Sequence, residues 1–383
     1  MRNEFTISKR QVGGRTVYYY YAYDPEGNRK KFSTGQTTKA AALTYCLNLA
    51  KAGGLIPEAK SNEIFGNYFK DFWNWGKSAY LKKEQLRGHN IGKLTAYRRN
   101  SAVEINIMPY FGSLKLKDLT KNKIENWLLV LANKGFKPGS INQYRIFLNI
   151  MLDYAVEQGY LAANPGRLVK PFIDRPEERG ILDPAEASEL FNPKNINIYW
   201  KGNRLAYAAN FLSAVSGMRL NEVRALRGVD IRQDKQGWFL NVEHSMSSFG
   251  LKDTKNHKSR PIPVTDEIKT MLVEIAPTPE GFIFSLDGQA PMPVYQIEEG
   301  GLYYALKAMG ISEDERRRRN LCFHSWRHFY NTMLRAGNVS EAKIRAITGH
   351  ADERMTDRYT HFTSGDLLEI TGVQRAIIGG CYA

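Results

Sequence analysis

The chain has 383 residues, 43% of them hydrophobic, and a net charge of +15 because 54 lysines and arginines outnumber 39 acidic residues. This length exceeds what one hydrophobic core normally organises, so two or three domains are expected. No run of about 18 uncharged apolar residues occurs and the start, MRNEFTISKRQ, has no apolar signal core, so we expect a soluble, cytoplasmic protein. The excess of positive charge favours a polyanionic partner, most often nucleic acid, over charge that only solubilises.

Residues 1–60 predict a small basic domain of three β-strands and one helix. TVYYYYAYD and RKKFSTG are typical of strands joined by a turn at PEGN, and TTKAAALTYCLNLAKAGG is typical of a helix that a Gly-Gly pair ends. The four tyrosines at 18–21 should alternate between the faces of the sheet, so about half of them are expected in the core.

Residues 63–165 predict an all-α domain of four or five helices. Phe65, Phe69, Phe72 and Trp73 recur at helical spacing, and Pro165 ends the last helix. Basic residues interleave with the apolar ones, which fits either a solvated face or contact with a phosphate backbone. Residues 166–180 contain two prolines and many charges and predict an interdomain linker.

Residues 181–365 predict a mainly helical domain with a small β-sheet formed by WFLNVEH and SRPIPV. The tail, 366–383, is apolar enough to dock onto a neighbouring protomer or to pack on its own domain. The expected fold is therefore multidomain α+β. The three cysteines, Cys46, Cys322 and Cys381, form no CxxC motif, so neither a disulfide framework nor a cysteine zinc site is expected.

Two segments of the last domain carry groups suited to phosphate. In SGMRLNEVRAL, Arg219 follows a glycine break at a helix start, where an arginine fork and backbone N–H groups can face an anion. A structural ion pair between Arg219 and Glu222 is the alternative. In DTKNHKSRPIPV, Lys255, Lys258 and Arg260 precede a strand, a position where lysines are mostly solvated.

Two further segments carry groups suited to proton transfer. In HSWRHFYNTMLRAG, His324 and His328 are spaced like zinc-protease ligands, but Ser325 stands where that motif has its catalytic glutamate. His324 and Arg327, three residues apart, instead project from nearly the same helix face. In ITGHADERMTDRYTHF, Tyr359 follows His350 by nine residues.

In this order, the four segments resemble the motifs of the tyrosine recombinases, the phage integrase superfamily. The family pattern is matched by Arg219, Lys255, His324, Arg327, His350 and Tyr359. The resemblance implies a helical core-binding domain at 63–165, an arm-type DNA-binding domain at 1–60 and a catalytic domain at 181–365.

The resemblance also implies a mechanism. Tyr359 would be the nucleophile, His324 its general base, Lys255 the acid for the leaving 5′ oxygen, and Arg219, Arg327 and His350 the phosphate ligands. The product would be a 3′-phosphotyrosine link. No Walker motif or acidic cluster occurs, so no cofactor, metal or ATP is expected.

Three neighbours of the motifs depart from the usual family residues: Met218, Trp326 and Asn256. Lys258 remains an alternative to Lys255, and His328 is expected to support the helix. Should Tyr359 not be the nucleophile, Tyr330 and Tyr382 are the next candidates.

The implied partners are double-stranded DNA at core and arm-type sites, three further copies in a tetramer that acts through a Holliday junction, and a DNA-bending or excisionase-like protein. Integration or excision of a phage or another mobile element is the expected role. Alternatives are a chromosome-dimer resolvase, a type IB topoisomerase, and a DNA-binding regulator that has lost catalysis.

Overall fold

The computed structural model describes residues 4–12, 15–23, 27–51, 55, 60–89, 91–175, 177, 179–254, 259–349 and 365–382. The chain divides into two compact units, Met1–Arg175 and Pro176–Ala383, which are considered separately. Among the described residues, no helix combines the length and the apolar character needed to cross a bilayer.

The first unit begins with the predicted three-stranded sheet and helix. Strands β1 (Thr6–Val12), β2 (Arg15–Tyr23) and β3 (Arg29–Ser33) are antiparallel in that order, and helix α1 (Lys39–Lys51) packs against β2. Tyr20 belongs to a small core with Cys46 and stacks on Phe32, with 5.2 Å between ring centroids. Of the four tyrosines, only Tyr20 is fully buried, fewer than the expected half: strand alternation turns Tyr19 and Tyr21 to the other face of the sheet, and Tyr18 is only partly buried.

The rest of the first unit is helical and has a separate core. The helices are α2 (Phe65–Phe69), α3 (Ala79–Leu86), α4 (Lys93–Asn106), α5 (Met108–Phe111), α6 (Lys121–Asn133) and α7 (Pro138–Glu157). Phe65, Phe69 and Trp73, three of the aromatic residues predicted to face inward, are buried at the centre of this core.

The segment 166–180, predicted to be a linker, is packed at both ends. On the first unit, the Asn142 side chain exchanges two 2.9 Å hydrogen bonds with the backbone of Phe172, and Val169 is buried against α7 and its neighbours. On the second unit, the Gly180 N–H donates to the Arg319 carbonyl at 3.0 Å. The linker is therefore shorter than predicted, because part of segment 166–180 packs against the helical core.

The second unit consists of helices around two small sheets. Its helices are α8 (Pro184–Leu190), α9 (Ile196–Tyr199), α10 (Arg204–Ser216), α11 (Leu220–Val223), α12 (Asp266–Ile275), α13 (Val294–Ile297), α14 (Tyr304–Ala308), α15 (Glu313–Arg318), α16 (Ser325–Ala336), α17 (Glu341–Thr348) and α18 (Ile370–Tyr382). Its strands are β4 (Ile231–Gln233), β5 (Trp238–Val242), β6 (His244–Ser247), β7 (Gly250–Asp253) and β8 (Arg260–Val264).

The sheet β4-β5-β8 contains the two predicted strands. The polar connection between them begins with a hairpin, β6-β7, which was not predicted from the sequence. Ser247 pairs with Gly250 across a two-residue turn, and Gly250 has φ +97°, a conformation that glycine adopts without strain.

The tail packs on its own unit. Helix α18 lies against α8, β8, α10 and α16, with Ile370, Val373 and Ile377 buried in the large core. The Gln374 side chain, which is fully buried, donates to the Val215 carbonyl at 3.1 Å and to the Pro263 carbonyl at 2.9 Å.

Candidate active site

A glycine turn places Arg219 at the start of α11. Helix α10 ends at Gly217 with φ +66°, and a Cβ at this position would lie 2.8 Å from Tyr330, so only glycine fits. Arg219 Nη1 donates to Glu222 Oε1 at 2.8 Å, and Nη2 donates to the Gly349 carbonyl at 3.1 Å. One third of the Arg219 side chain stays exposed (33%), so it can still reach a ligand.

Glu222 is shared between two arginines. Its side chain is 3% exposed and also accepts from both Nη atoms of Arg260, the first residue of β8. Burial on its own would raise the pKa of Glu222, but the charges and hydrogen bonds of Arg260 and Arg219 outweigh it and lower the pKa below its ordinary value. Glu222 is therefore an ionised carboxylate at neutral pH.

Arg327 lies in the first turn of α16 and is only 2% exposed. Its Nη1 donates to the Gly217 carbonyl at 2.9 Å, while its buried Nη2 has no hydrogen-bond partner among the described residues. Burial and the nearby Arg219 and Arg260 lower the pKa of Arg327 to about 9, against the opposing effect of Glu222, so the guanidinium remains charged at neutral pH. The site therefore holds three arginines around one carboxylate and retains positive charge for an anion.

Two histidines flank Arg327 on the same helix face. The rings of His324 and His328 are 5.2 Å apart between centroids, and both residues reach the surface. Partial burial, followed by the charge of Arg179 and of the other neighbouring groups, lowers the pKa of His324 to about 4. Burial and Arg179 also lower the pKa of His328. In the free protein both rings are therefore neutral at pH 7, and a neutral imidazole can accept a proton.

Buried apolar residues of α16 anchor these groups in the core. They are Trp326, Phe329 and Leu334. The Trp326 indole N–H donates to Asn210 Oδ1 of α10 at 2.9 Å, and the ring packs on Phe191 at 4.8 Å between centroids. Trp326, which stands where the family usually has leucine, thus has a polar partner within this core.

The end of α17 meets the two arginines that share Glu222. Gly349 ends this helix with φ +65°, and its carbonyl accepts the bond from Arg219. Arg260 Nε donates to the Ile347 carbonyl at 2.7 Å in the last turn. His350 follows immediately in the chain.

The structure brings together three of the six predicted residues: Arg219 and Arg327 lie near Glu222, and His324 lies near these two arginines. The other three, Lys255, His350 and Tyr359, lie outside the described residues, as does Lys258. The described chain contacts the site next to each gap, at Gly349 just before His350 and at Arg260 shortly after Lys258.

Tyr330, one of the two alternative nucleophiles, is fully buried beneath the site. Burial raises the pKa of its phenol well above the ordinary value, so it neither reaches solvent nor ionises readily. This position contradicts Tyr330 as a nucleophile. The side chain of Tyr382, the other alternative, is outside the described residues.

Arg260 was noted in the sequence only as one of several basic residues before a strand, and its role in the site was missed. In RPIPV, however, strand alternation places Arg260 on the same side as Ile262 and Val264, which are 0% and 4% exposed. An arginine in register with buried residues was the available indication that it faces inward.

Two family profiles match the chain. The profile of the phage integrase family matches residues 183–365, and the profile of the phage integrase N-terminal SAM-like domain matches residues 80–131. Together they cover more than half of the sequence, and the first of them contains all four motif segments.

Several curated proteins are similar along much of their length. The tyrosine recombinase XerD of Rickettsia bellii is 25% identical over 73% of this chain and 92% of its own length. The probable integrase of prophage ps2 of Lactococcus lactis is 23% identical over 91% of this chain and 94% of its own. The match with the shufflon-specific DNA recombinase of Escherichia coli, at 25% identity, covers 57% of this chain and half of that protein (50%).

Solved structures share the fold. The lambda integrase tetramer bound to a Holliday junction has a TM-score of 0.58 and 17% identity over 92% of this chain and 99% of that one. The Tn1549 transposon integrase in complex with transposon right-end DNA has a TM-score of 0.58 and 20% identity over 75% of this chain and 95% of that one. The profiles and relatives, together with this fold, establish that the chain belongs to the phage integrase family of tyrosine recombinases.

Proposed function

We propose that this recombinase cuts and rejoins DNA at specific sites through a covalent link between Tyr359 and a 3′ phosphate. The observation that carries the proposal is the surplus of buried positive charge around Glu222. Arg327 keeps an unpaired, buried Nη2, and one third of the Arg219 side chain is exposed beside it (33%). Guanidinium groups in this state suit the non-bridging oxygens of a phosphodiester.

Each residue has a separate part in the proposed step. Neutral His324 accepts the phenol proton as the Tyr359 oxygen attacks phosphorus, and Lys255 protonates the departing 5′ oxygen. Arg219, Arg327 and His350 stabilise the charge that grows on the phosphoryl oxygens. One P–O bond replaces another, so the ester is conserved for rejoining without ATP, and the residues named supply every proton transfer without a metal.

The nucleophile can be tested on a nicked core site, which traps the covalent intermediate. Tyr359→Phe is expected to abolish the trapped complex and to leave DNA binding intact, because only the phenol oxygen is removed. Tyr330→Phe serves as the matched control and should still trap DNA. A covalent complex formed by the Tyr359→Phe protein would disprove the nucleophile assignment.

The proposed partners are DNA sites and other copies of the chain. The lambda neighbour was solved as a tetramer on a Holliday junction, and the Tn1549 neighbour with transposon-end DNA. By analogy, we propose a tetramer on double-stranded core sites, contacted by residues 63–165 and 181–365. A DNA-bending or excisionase-like accessory protein is part of this proposal.

We propose that residues 1–60 bind a second, arm-type DNA site. On the sheet face opposite α1, Lys31 lies over the Tyr19 ring at 4.4 Å and Arg29 over the Tyr21 ring at 4.2 Å. These cations are held above aromatic rings at the surface, where phosphates can reach them.

A phage or other mobile element is the favoured source of the substrate. The similarity to the prophage integrase runs over 91% of this chain, whereas that to XerD of Rickettsia bellii covers 73%. A chromosome-dimer resolvase is therefore the second candidate. A regulator without catalysis is disfavoured because all six motif positions carry the expected residues.

A further inference from the structure

We propose that Arg260 is a positioning residue for DNA cleavage: it holds Glu222 and the end of α17, which both bind the Arg219 guanidinium, so that Arg219 faces the phosphate. The inference rests on the proposed function, because the proposed function places the DNA phosphate at this site. It concerns a residue outside the six motif positions.

Arg260 joins three elements that are far apart in the sequence. Its Nη1 and Nη2 donate to the two carboxylate oxygens of Glu222 in α11, and its Nε donates to the Ile347 carbonyl in α17. Its side chain is 10% exposed, so its donors face protein groups and Arg260 acts on the DNA through its neighbours.

Only arginine has the shape for this position. The planar guanidinium presents donors along two edges, and here one edge meets Glu222 while Nε meets the backbone of α17. Gly349 lies against the same group, because a Cβ there would be 3.3 Å from Arg260 Nη1. A lysine ammonium is a single point and cannot bridge a carboxylate and a carbonyl in this way.

Arg260 also keeps Glu222 charged. The charged groups that face Glu222 are Arg219 of the α11 start, Arg260 of β8 and Arg327 of α16. Without Arg260, the effect of burial on Glu222 is opposed by fewer charges, and its pKa rises. A protonated Glu222 accepts weakly from Arg219, which is then free to leave the orientation that faces the phosphate.

The experiment compares single-turnover cleavage of the nicked core site by the full-length protein and its Arg260→Met and Arg260→Lys variants. Cleavage at pH 7 should fall about 100-fold in both variants, because a small misplacement of Arg219 relative to the phosphate costs about this much in rate. DNA affinity should stay close to wild type. The matched control is Arg232→Met, which removes an exposed arginine from β4 of the same sheet and should cleave normally.

The pH profile separates positioning from mere folding. In Arg260→Met, cleavage should increase with pH over a range in which the wild-type rate is flat, because Glu222 must ionise. The double variant Arg260→Met/Glu222→Gln should be slow but should lack this added dependence on pH.

Two outcomes would overturn the proposal: wild-type cleavage by Arg260→Met, or losses in both single variants that match the unfolded fraction seen by circular dichroism with an unchanged pH profile. Covalent trapping of DNA by the wild-type protein distinguishes a failure of the Arg260 proposal from a failure of the proposed function. If it traps DNA and Arg260→Met cleaves normally, only the role of Arg260 fails; if the wild type traps none, the proposed function fails with it.

Discussion

Among single residues, Arg327 is the clearest case of a group kept for function at a cost to folding. Its cation is almost completely buried. Among the described residues it makes one hydrogen bond, to the Gly217 carbonyl, and its Nη2 has no partner. Burying a charge without full compensation is unfavourable. A bound phosphate would supply the missing acceptor and the opposite charge.

Arg327→Met is therefore expected to separate stability from activity. Methionine fills a similar volume without a buried charge, so the free energy of unfolding should be unchanged or higher. Cleavage should fall by about 100- to 1,000-fold, because a donor to the transition state is lost. Urea denaturation and single-turnover cleavage measure the two effects, and a strongly destabilised variant with normal cleavage would contradict the interpretation.

His324 should show its lowered pKa directly. In the free protein its imidazole should titrate in NMR well below 6.5, near the value of about 4, and phosphate binding should raise this pKa. Since the unfolded chain binds the proton more readily, this histidine should make the folded state less stable as the pH falls from the ordinary histidine range towards 4. A midpoint at or above the ordinary histidine value in the free protein would contradict the burial and charge argument.

At the level of elements, the site depends on how helices end. The left-handed glycines Gly217 and Gly349 terminate α10 and α17, and each offers its carbonyl to an arginine of the site. Helix α18 is joined to α10 and β8 by Gln374, which donates to the carbonyls of Val215 and Pro263.

Gln374→Leu should loosen α18 from its unit. The carbonyls of Val215 and Pro263 would lose a buried donor, at a cost of about 1–3 kcal/mol in unfolding free energy. Arg375→Leu, at the next and exposed position, is the matched control and should cost much less. Thermal or urea unfolding checks this, and equal stability of the two variants would show that the Gln374 contacts contribute little.

At the scale of the whole molecule, the first unit contains two separate cores, one in the sheet domain and one in the helical domain. A separate core allows a domain to be removed with limited damage to its neighbour. This arrangement makes the proposed arm-type function of residues 1–60 testable by deletion.

Deleting residues 1–60 should leave cleavage of a core site intact and impair recombination of a complete attachment site, because only the second reaction uses arm-type DNA. Substituting Arg29 and Lys31 by alanine in the full chain should reproduce part of this effect. Gel-shift and recombination assays measure it, and unchanged recombination after the deletion would count against the arm-type assignment.

The sequence by itself determined the elements whose pattern is local and the family to which the chain belongs. Amphipathic spacing predicted the helical core around Phe65 and Trp73, and strand alternation predicted the small sheet before α1, because these patterns are local. The ordered motifs likewise predicted the family. The mechanism assigned to Lys255, His350 and Tyr359 stays a prediction.

Only the tertiary structure decided which groups complete the site. Glu222 and Arg260 are 38 residues apart in the sequence, and Arg260 and Ile347 are 87 apart. No local pattern encodes such pairings, since each depends on how helices and strands pack. For the same reason, only the three-dimensional structure shows that the tail packs on its own unit and that segment 166–180 is anchored at both ends.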